Sequence, residues 1–349
     1  MVFFHFWGGV LMKGNLFLNH QKKLYMAANS IGKIFVLTTF GESHGKAIGG
    51  VIDGCPSKLH VDMSLIEAEL LRRATGHNGN ASQRKESDKV QFLSGIHDGY
   101  TLGTPIAFMV CNEDARPQDY DSLKDVYRPS HADYSYHAKY GIRDWRGGGR
   151  ASARTTLPIV VAGAIAKQIL AQHDIAIQSS FSISGNIEEA KRAGDTLGGY
   201  VKGCITNVPA GLGEPMFDKF QADLAKAMFC IPAVKGFEYG DGFAMAEMKG
   251  SECNDSFVFE EGRIRTLTKH SGGIQGGITN GEAICFRVAF KPIPSIGRAQ
   301  QTVNVQGNPV TICIEGRHDV SAVPRAAIIV EALAAMTTLD HLLRFKAYQ

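Results

Sequence analysis

Strand-like and helix-like segments in this 349-residue chain come in runs rather than in strict alternation. Apolar, β-branched stretches read as strands at residues 34–39, 49–54, 90–93 and 106–111, interrupted by one helical pattern. In that pattern Ile66, Leu70 and Ala74 share a face, and Ser64 with Glu67 reads as a capping box that opens a helix to about Ala74. The second half has strand signals at 175–183, 200–208 and 283–290, the last with Ile284, Phe286, Val288 and Phe290 at alternate positions. Helical patterns occupy 151–172, where Pro158 suits only the first turn, the segment containing Phe217, Gln221, Leu224 and Met228, and 324–345. Such runs predict an α+β fold with largely antiparallel sheets rather than a parallel βαβ array. No linker, composition break or repeat of about 20–50 residues divides the chain, so residues 26–349 read as one domain.

Composition sets the limits on function. Hydrophobic residues make up 44% and charged residues 20%, enough apolar material for a large core. Lys+Arg 37 against Asp+Glu 34 gives a net charge of +3, too weak for bulk attraction to nucleic acid or a membrane. Any anion site must therefore come from local charge. The seven cysteines contain no C-x-x-C pair, which argues against a disulfide framework or structural zinc and points to the reducing cytoplasm. No H-E-x-x-H or other spaced ligand set occurs, so no metal is expected. Residues 1–25 are rich in Phe but broken by His5, Lys13 and Asn15, and the apolar run precedes the positive charge, unlike a secretory signal. They read as a dispensable extension ahead of Met26, and no run approaches the 18 or so uncharged residues of a membrane span.

Three constellations carry chemistry. The first is TTFGESHGK at residues 38–46, where Gly41 and Gly45 flank His44 at a strand end. Glycines there permit tight turns and close approach of a ligand, although a lone histidine in such a turn commonly just hydrogen-bonds to nearby backbone. The second is the segment from Arg128 to Arg154, with His131 near its start and four arginines (143, 146, 150, 154) around the triple glycine 147–149. Guanidinium forks and exposed backbone N–H groups bind phosphate, and Ser152 and Arg154 precede an apolar helix whose N-terminus favours anions. A disordered, repetitive RGG tract would not run directly into such a helix. The third is GRHD at 316–319, where Arg317 is a candidate anion ligand and Asp319 a candidate proton acceptor, though a surface ion pair would use the same side chains. The whole segment 127–154 reads as a long functional loop.

Taken in order, these motifs, with VPAGLGEP at 208–215 and AVKG at 233–236, resemble the chorismate synthase family from about Asn29 to Leu343. The resemblance implies a β-α-β-α sandwich with helices between antiparallel sheets, assembled as a homotetramer. It implies a lyase that eliminates phosphate from 5-enolpyruvylshikimate-3-phosphate to give chorismate. Reduced FMN would be a non-consumed cofactor, with NADPH as a candidate reductant. By the same resemblance His44, His131 and Asp319 are catalytic. Arg150, Ala151, Ser152, Gly276, Lys291, Pro292, Ile293, Pro294, Ser295 and Arg317 take the flavin positions. Arg73, Arg128, Arg154 and again Arg317 take those of the substrate's phosphate and carboxylates.

The chain departs from the family pattern at Gly79, where arginine is frequent, at Thr155, at Pro232, and in a shortened connection at 184–196. Two alternatives follow: a flavin- or phosphate-binding homologue without turnover, and an RNA-binding protein using the arginine–glycine segment. The small net charge weighs against the second.

Overall fold

The computed structural model describes residues 28–75, 88–112, 117–314 and 319–349. In the first part, strands β1 (Ser30–Ile31), β2 (Val36–Phe40) and β3 (Ala47–Asp53) form an antiparallel meander, followed by helix α1 (Met63–Thr75). Strand β4 (Gln91–Phe92), the small hairpin of β5 (Ile96–His97) and β6 (Tyr100–Thr101), and β7 (Ile106–Cys111) complete it. The five-stranded sheet has the order β1-β2-β3-β7-β4, with Ile48 opposite Val110 and Ile52 opposite Ile106 on its buried face.

Helices α2 (Asp133–Tyr140) and α3 (Leu157–Ala171) lead into β8 (Ala176–Ile183), α4 (Ile187–Arg192), β9 (Gly199–Thr206), α5 (Phe220–Phe229) and β10 (Val234–Tyr239). After α6 (Gly250–Cys253) come two hairpins, β11 (Phe257–Glu260) with β12 (Arg263–Thr266) and β13 (Ile274–Gln275) with β14 (Ile278–Thr279). Strand β15 (Ile284–Phe290), the hairpin of β16 (Gln300–Val303) and β17 (Pro309–Ile312), and the long α7 (Val323–Lys346) close the chain. The second sheet has the order β10-β15-β9-β8. Every pairing among the described strands is antiparallel, in keeping with the α+β expectation.

The two sheets are joined through helices. Helix α3 packs on β2 and β3, α7 packs on β8 and β9, and the two helices pack on each other. Their approach is close because small residues meet: a Cβ on Gly163 would lie 2.3 Å from the Ala332 Cβ. Helix α7 is long and apolar enough to span a membrane by composition, but 89% of its most apolar window is buried within the protein, as in a core helix.

Two carboxylates anchor that helix. Buried Glu331 accepts from Arg72 at 3.0 and 2.9 Å, Lys167 at 2.6 Å and Ser179 at 2.7 Å, so it ties α1, α3 and β8 to α7. Burial opposes its charge, yet the Arg72, Lys167 and Ser179 bonds prevail and hold the carboxyl below the usual range. Nearly two turns before the helix ends, Asp340 accepts the backbone N–H groups of Lys33, Ile34 and Phe35 at 2.9, 2.7 and 3.0 Å, fixing the entry to β2.

Some local expectations change. Helix α1 is capped by Asp62, whose Oδ1 accepts the Ser64 N–H at 2.9 Å and hydroxyl at 2.6 Å, so Ser64 is not the cap. The 127–154 segment is not one loop: it contains α2, the 3₁₀ turn Gly149–Ala151 and the start of a second, Ala153–Thr156. Helix α3 consequently begins at Leu157, with Pro158 in its first turn, and not at 151. Phe217 lies outside α5 and is 90% exposed. Residues 1–25 and Gly79 lie outside the described residues.

Glu331→Gln removes the negative charge that Arg72 and Lys167 share. The expected loss is about 3 kcal/mol, the low end for a broken buried pair because both cations retain some contact with water. Urea unfolding of the two proteins measures it, and an unchanged midpoint would show that the network contributes nothing.

Candidate active site

The turn after β2 brings His44 against the triple glycine. Gly41 has φ +92°, and a Cβ there would lie 2.2 Å from the Ala47 carbonyl oxygen, so only glycine fits. Gly147, Gly148 and Gly149 have φ of +59°, +91° and +54°. A Cβ on Gly147 would fall 2.1 Å from His44 Cε1, so the missing side chain makes room for the imidazole. The Ser43 N–H donates to the Gly149 carbonyl at 3.3 Å and locks the two turns together. His44 is buried, with Nδ1 3.0 Å from Ser43 Oγ and its ring edge-on to Tyr120 at 5.2 Å. Ser43 Oγ also donates to the Arg146 carbonyl at 3.4 Å.

Beside this turn lies a cavity of about 880 Å³. Its walls are the start of α2, the glycine segment, the loop after β15, the turn after α5 and the N-terminal half of α7. His131 Nδ1 lies 3.0 Å from the Pro129 carbonyl and Nε2 lies 3.1 Å from Ser295 Oγ. A carbonyl only accepts, so Nδ1 carries the hydrogen and the neutral ring accepts at Nε2 from Ser295. Burial, and after it the positive Arg128, lower the His131 pKa to about 4.

The arginines are held by protein partners. Arg128 binds Asp133 through Nε at 2.8 Å, Nη2 at 2.9 Å and its backbone N–H at 3.0 Å, while Arg143 lies 3.2 Å from the same carboxylate. Burial opposes the Asp133 charge, but the Arg128 bonds win and keep its pKa low. Arg150 donates to the Gly41 carbonyl at 3.2 Å, Asn29 Oδ1 at 3.0 Å and Thr39 Oγ1 at 2.7 Å, bracing the cavity against β2. Arg154 reaches Asn112 at 2.6 Å and Asp88 at 3.0 Å, and Arg73 reaches the other Asp88 oxygen at 2.6 Å. Burial, opposed by Asp88, pulls the Arg73 pKa down, and Arg154 and Arg325 add like charge. Arg325 pairs with Asp319 at 3.3 Å. Lys291 Nζ donates to the Ser130 carbonyl at 2.9 Å, and burial followed by Lys235 lowers its pKa.

The cavity thus gathers His131, Asp319, Arg128, Arg150, Ala151, Ser152, Lys291, Ile293, Pro294 and Ser295. His44 is not itself on the wall but packs against Gly147 and Tyr120, which are. Pro292 belongs to the same loop without lining the cavity, and Arg73 and Arg154 meet at Asp88, off the wall. Gly276 stands apart in the β13–β14 turn, with φ +63° and no atom within 4 Å of an added Cβ. Arg317 lies outside the described residues. Sequence reasoning missed Tyr120, Arg325 and Asp88; none lies in a patterned motif, and only the folded chain brings them to the site.

The chorismate synthase family model matches residues 35–186 and 179–343. The chain is 52% identical to chorismate synthase of Porphyromonas gingivalis over 348 residues, covering 89% of this chain and 95% of the relative. It is 50% identical to that of Parabacteroides distasonis (90% and 98% covered) and 48% identical to that of Cytophaga hutchinsonii (92% and 99%). A crystal structure of chorismate synthase superposes with a TM-score of 0.72 at 30% identity, covering 90% of this chain and 93% of the other. With the family model matching most of the chain and the relatives covered almost end to end, this chain belongs to the chorismate synthase family.

Proposed function

We propose that this chain is a lyase that releases phosphate from 5-enolpyruvylshikimate-3-phosphate by anti-1,4-elimination, giving chorismate, with reduced FMN bound in the cavity. The observation that carries this reading is the single cavity that joins His131, Asp319 and several basic donors, with His44 packed behind its wall.

The donor set fits a flavin mononucleotide. Arg150, Ser152, Lys291 and Ser295 supply cationic and hydroxyl donors, Ile293 and Pro294 an apolar wall, and the triple glycine a wall without side chains. The volume is within the range of about 300–1,000 Å³ common for cofactor sites. When bound, reduced FMN supplies electron density as the bond between carbon and the phosphate oxygen breaks. Ala151, Pro292, Gly276 and Arg317 enter the flavin assignment on the resemblance.

The chain's own groups then handle position and protons. Ser43 Oγ spends its hydrogen on the Arg146 carbonyl and so accepts from His44 Nδ1–H, which leaves Nε2 as the atom that exchanges a proton with the departing phosphate. His131, held neutral by burial and Arg128, takes up a proton at Nε2 as negative charge enters beside it. Asp319, which lines the same cavity and is held by Arg325, relays a proton. Arg73, Arg128, Arg154 and Arg317 supply the positive field for the substrate's phosphate and carboxylates.

The same reading takes the helices as the filling of a β-α-β-α sandwich and the enzyme as a cytoplasmic homotetramer that acts on a phosphorylated small molecule. Nucleic acid and membrane are not its partners. Residues 26–349 are the catalytic unit, and a chain starting at Met26 is expected to keep full activity and melting temperature.

Phosphate release from the substrate with chemically reduced FMN, without air, is the direct test. Flavin binding without release would leave a binding homologue. Aerobic turnover with NADPH and FMN alone would identify NADPH as reductant. His44→Ala should slow release by about 10²–10⁴-fold with little change in FMN affinity; normal turnover would end the proton-donor role.

His131 also predicts a pH effect on folding. Its folded pKa of about 4 lies below the usual histidine value of 6.5, so the unfolded chain binds the proton first. Stability is unaffected above about pH 6.5, falls as pH drops toward 4, and the contribution is fully lost below that. His131→Gln should flatten this stretch of the stability–pH curve; superposable curves would place the imidazole in water.

A further inference from the structure

Two of the seven cysteines face each other across the second sheet, in a place the proposed chemistry does not use. Cys204 on β9 is the direct register partner of Cys285 on β15, and their Sγ atoms lie 2.8 Å apart. Directly opposed residues of an antiparallel pair have Cα atoms about 4.5–5.5 Å apart. That falls inside the roughly 4.4–6.8 Å which a disulfide spans, so a bond needs no backbone shift. Cys285 is exposed and Cys204 partly so, which lets a small reagent reach them. No other two cysteines among the described residues are in such contact.

We propose that Cys204 and Cys285 form a redox-active dithiol, a modification site that a low-molecular-weight disulfide oxidises to a cross-strand disulfide. The Cys285 thiolate attacks one sulfur of the reagent disulfide, forming a mixed disulfide and expelling one reagent thiolate, which takes up a proton. The Cys204 thiolate then attacks Cys285 Sγ and expels the second. Two protein thiols lose two electrons and two protons, and one reagent disulfide becomes two thiols. The environment favours this order: the bond from Cys204 lowers the Cys285 pKa to about 6, and the Lys269 ammonium adds to the effect. The reverse exchange with excess thiol restores the pair, which suits a protein that otherwise keeps its cysteines reduced.

The test uses the full-length, pre-reduced protein and glutathione disulfide at neutral pH, followed by alkylation under denaturing conditions and peptide mapping. The expected result is loss of two alkylatable thiols and recovery of one peptide pair cross-linked through Cys204 and Cys285. In Cys204→Ser the attack stops halfway, leaving glutathione on Cys285. Glutathione on both cysteines of the unaltered protein without a cross-link, or all seven thiols still alkylatable, would overturn the proposal. Because the readout is covalent and independent of turnover, it stands apart from the lyase reading.

Discussion

A carboxylate in the interior has to be matched by donors from several directions, and Glu331 makes that requirement a constraint on the whole fold. Its partners Arg72, Lys167 and Ser179 sit on three elements, each more than 150 positions from it in sequence. Removing the ion from water costs several kcal/mol, and only their simultaneous presence offsets it. The close approach of Gly163 to Ala332 fixes the other coordinate, because at that contact α3 and α7 have no side-chain volume to yield. Helix α7 is thus set in both direction and depth. Its N-terminal half brings Arg325, and through it Asp319, to the cavity.

The same economy of side chains governs the site. His44 lies where a side chain on Gly147 would be, and the left-handed run at 147–149 lets the backbone turn beneath the ring. A non-glycine residue at Gly147 would meet both backbone strain and the imidazole. Substituting Ser43 instead leaves the ring in place but removes the group on Nδ1, so steric and hydrogen-bonding control of His44 come from different residues.

The longer strands were legible because in–out alternation is local: residues 106–111 read from pattern are β7 as found, and β8, β9 and β15 shift by one or two residues, whereas β10 and the short hairpin strands gave no readable pattern. Helix boundaries were less so. The α1 cap falls to Asp62 because its carboxylate satisfies both Ser64 groups, a competition that spacing alone does not resolve. Helix α2 was hidden because its residues, Asp133 to Tyr140, are mostly polar or aromatic and present no apolar stripe; its left-handed stop at Gly141 is clear only in the backbone. The motifs that carry chemistry converge on one cavity through His131, Arg150 and Lys291. What the motifs did not reveal was the pairing of counter-charges. Asp88 and Asp133 turn isolated arginines into fixed pairs, and Cys204 with Cys285, 81 positions apart, is a pair only because of sheet register.

Those fixed pairs bear on how the cavity meets an anion. Arg128, Arg154 and Arg325 each already face a carboxylate, so their orientation is set before a ligand arrives and little side-chain entropy remains to be lost. Pairing also tempers the positive field, which spares the site the cost of a cluster of unmatched guanidiniums. An anion entering the cavity can share Arg128 and Arg325, which line it, while Arg154 stays off the wall; a guanidinium as a group does not readily give up its proton. Charge adjustment must then fall to groups with smaller proton affinity. His131 is such a group: burial and Arg128 hold it neutral, and a negative charge placed beside it acts against both. On the proposed reading, the arginines position the anion and the imidazoles move protons.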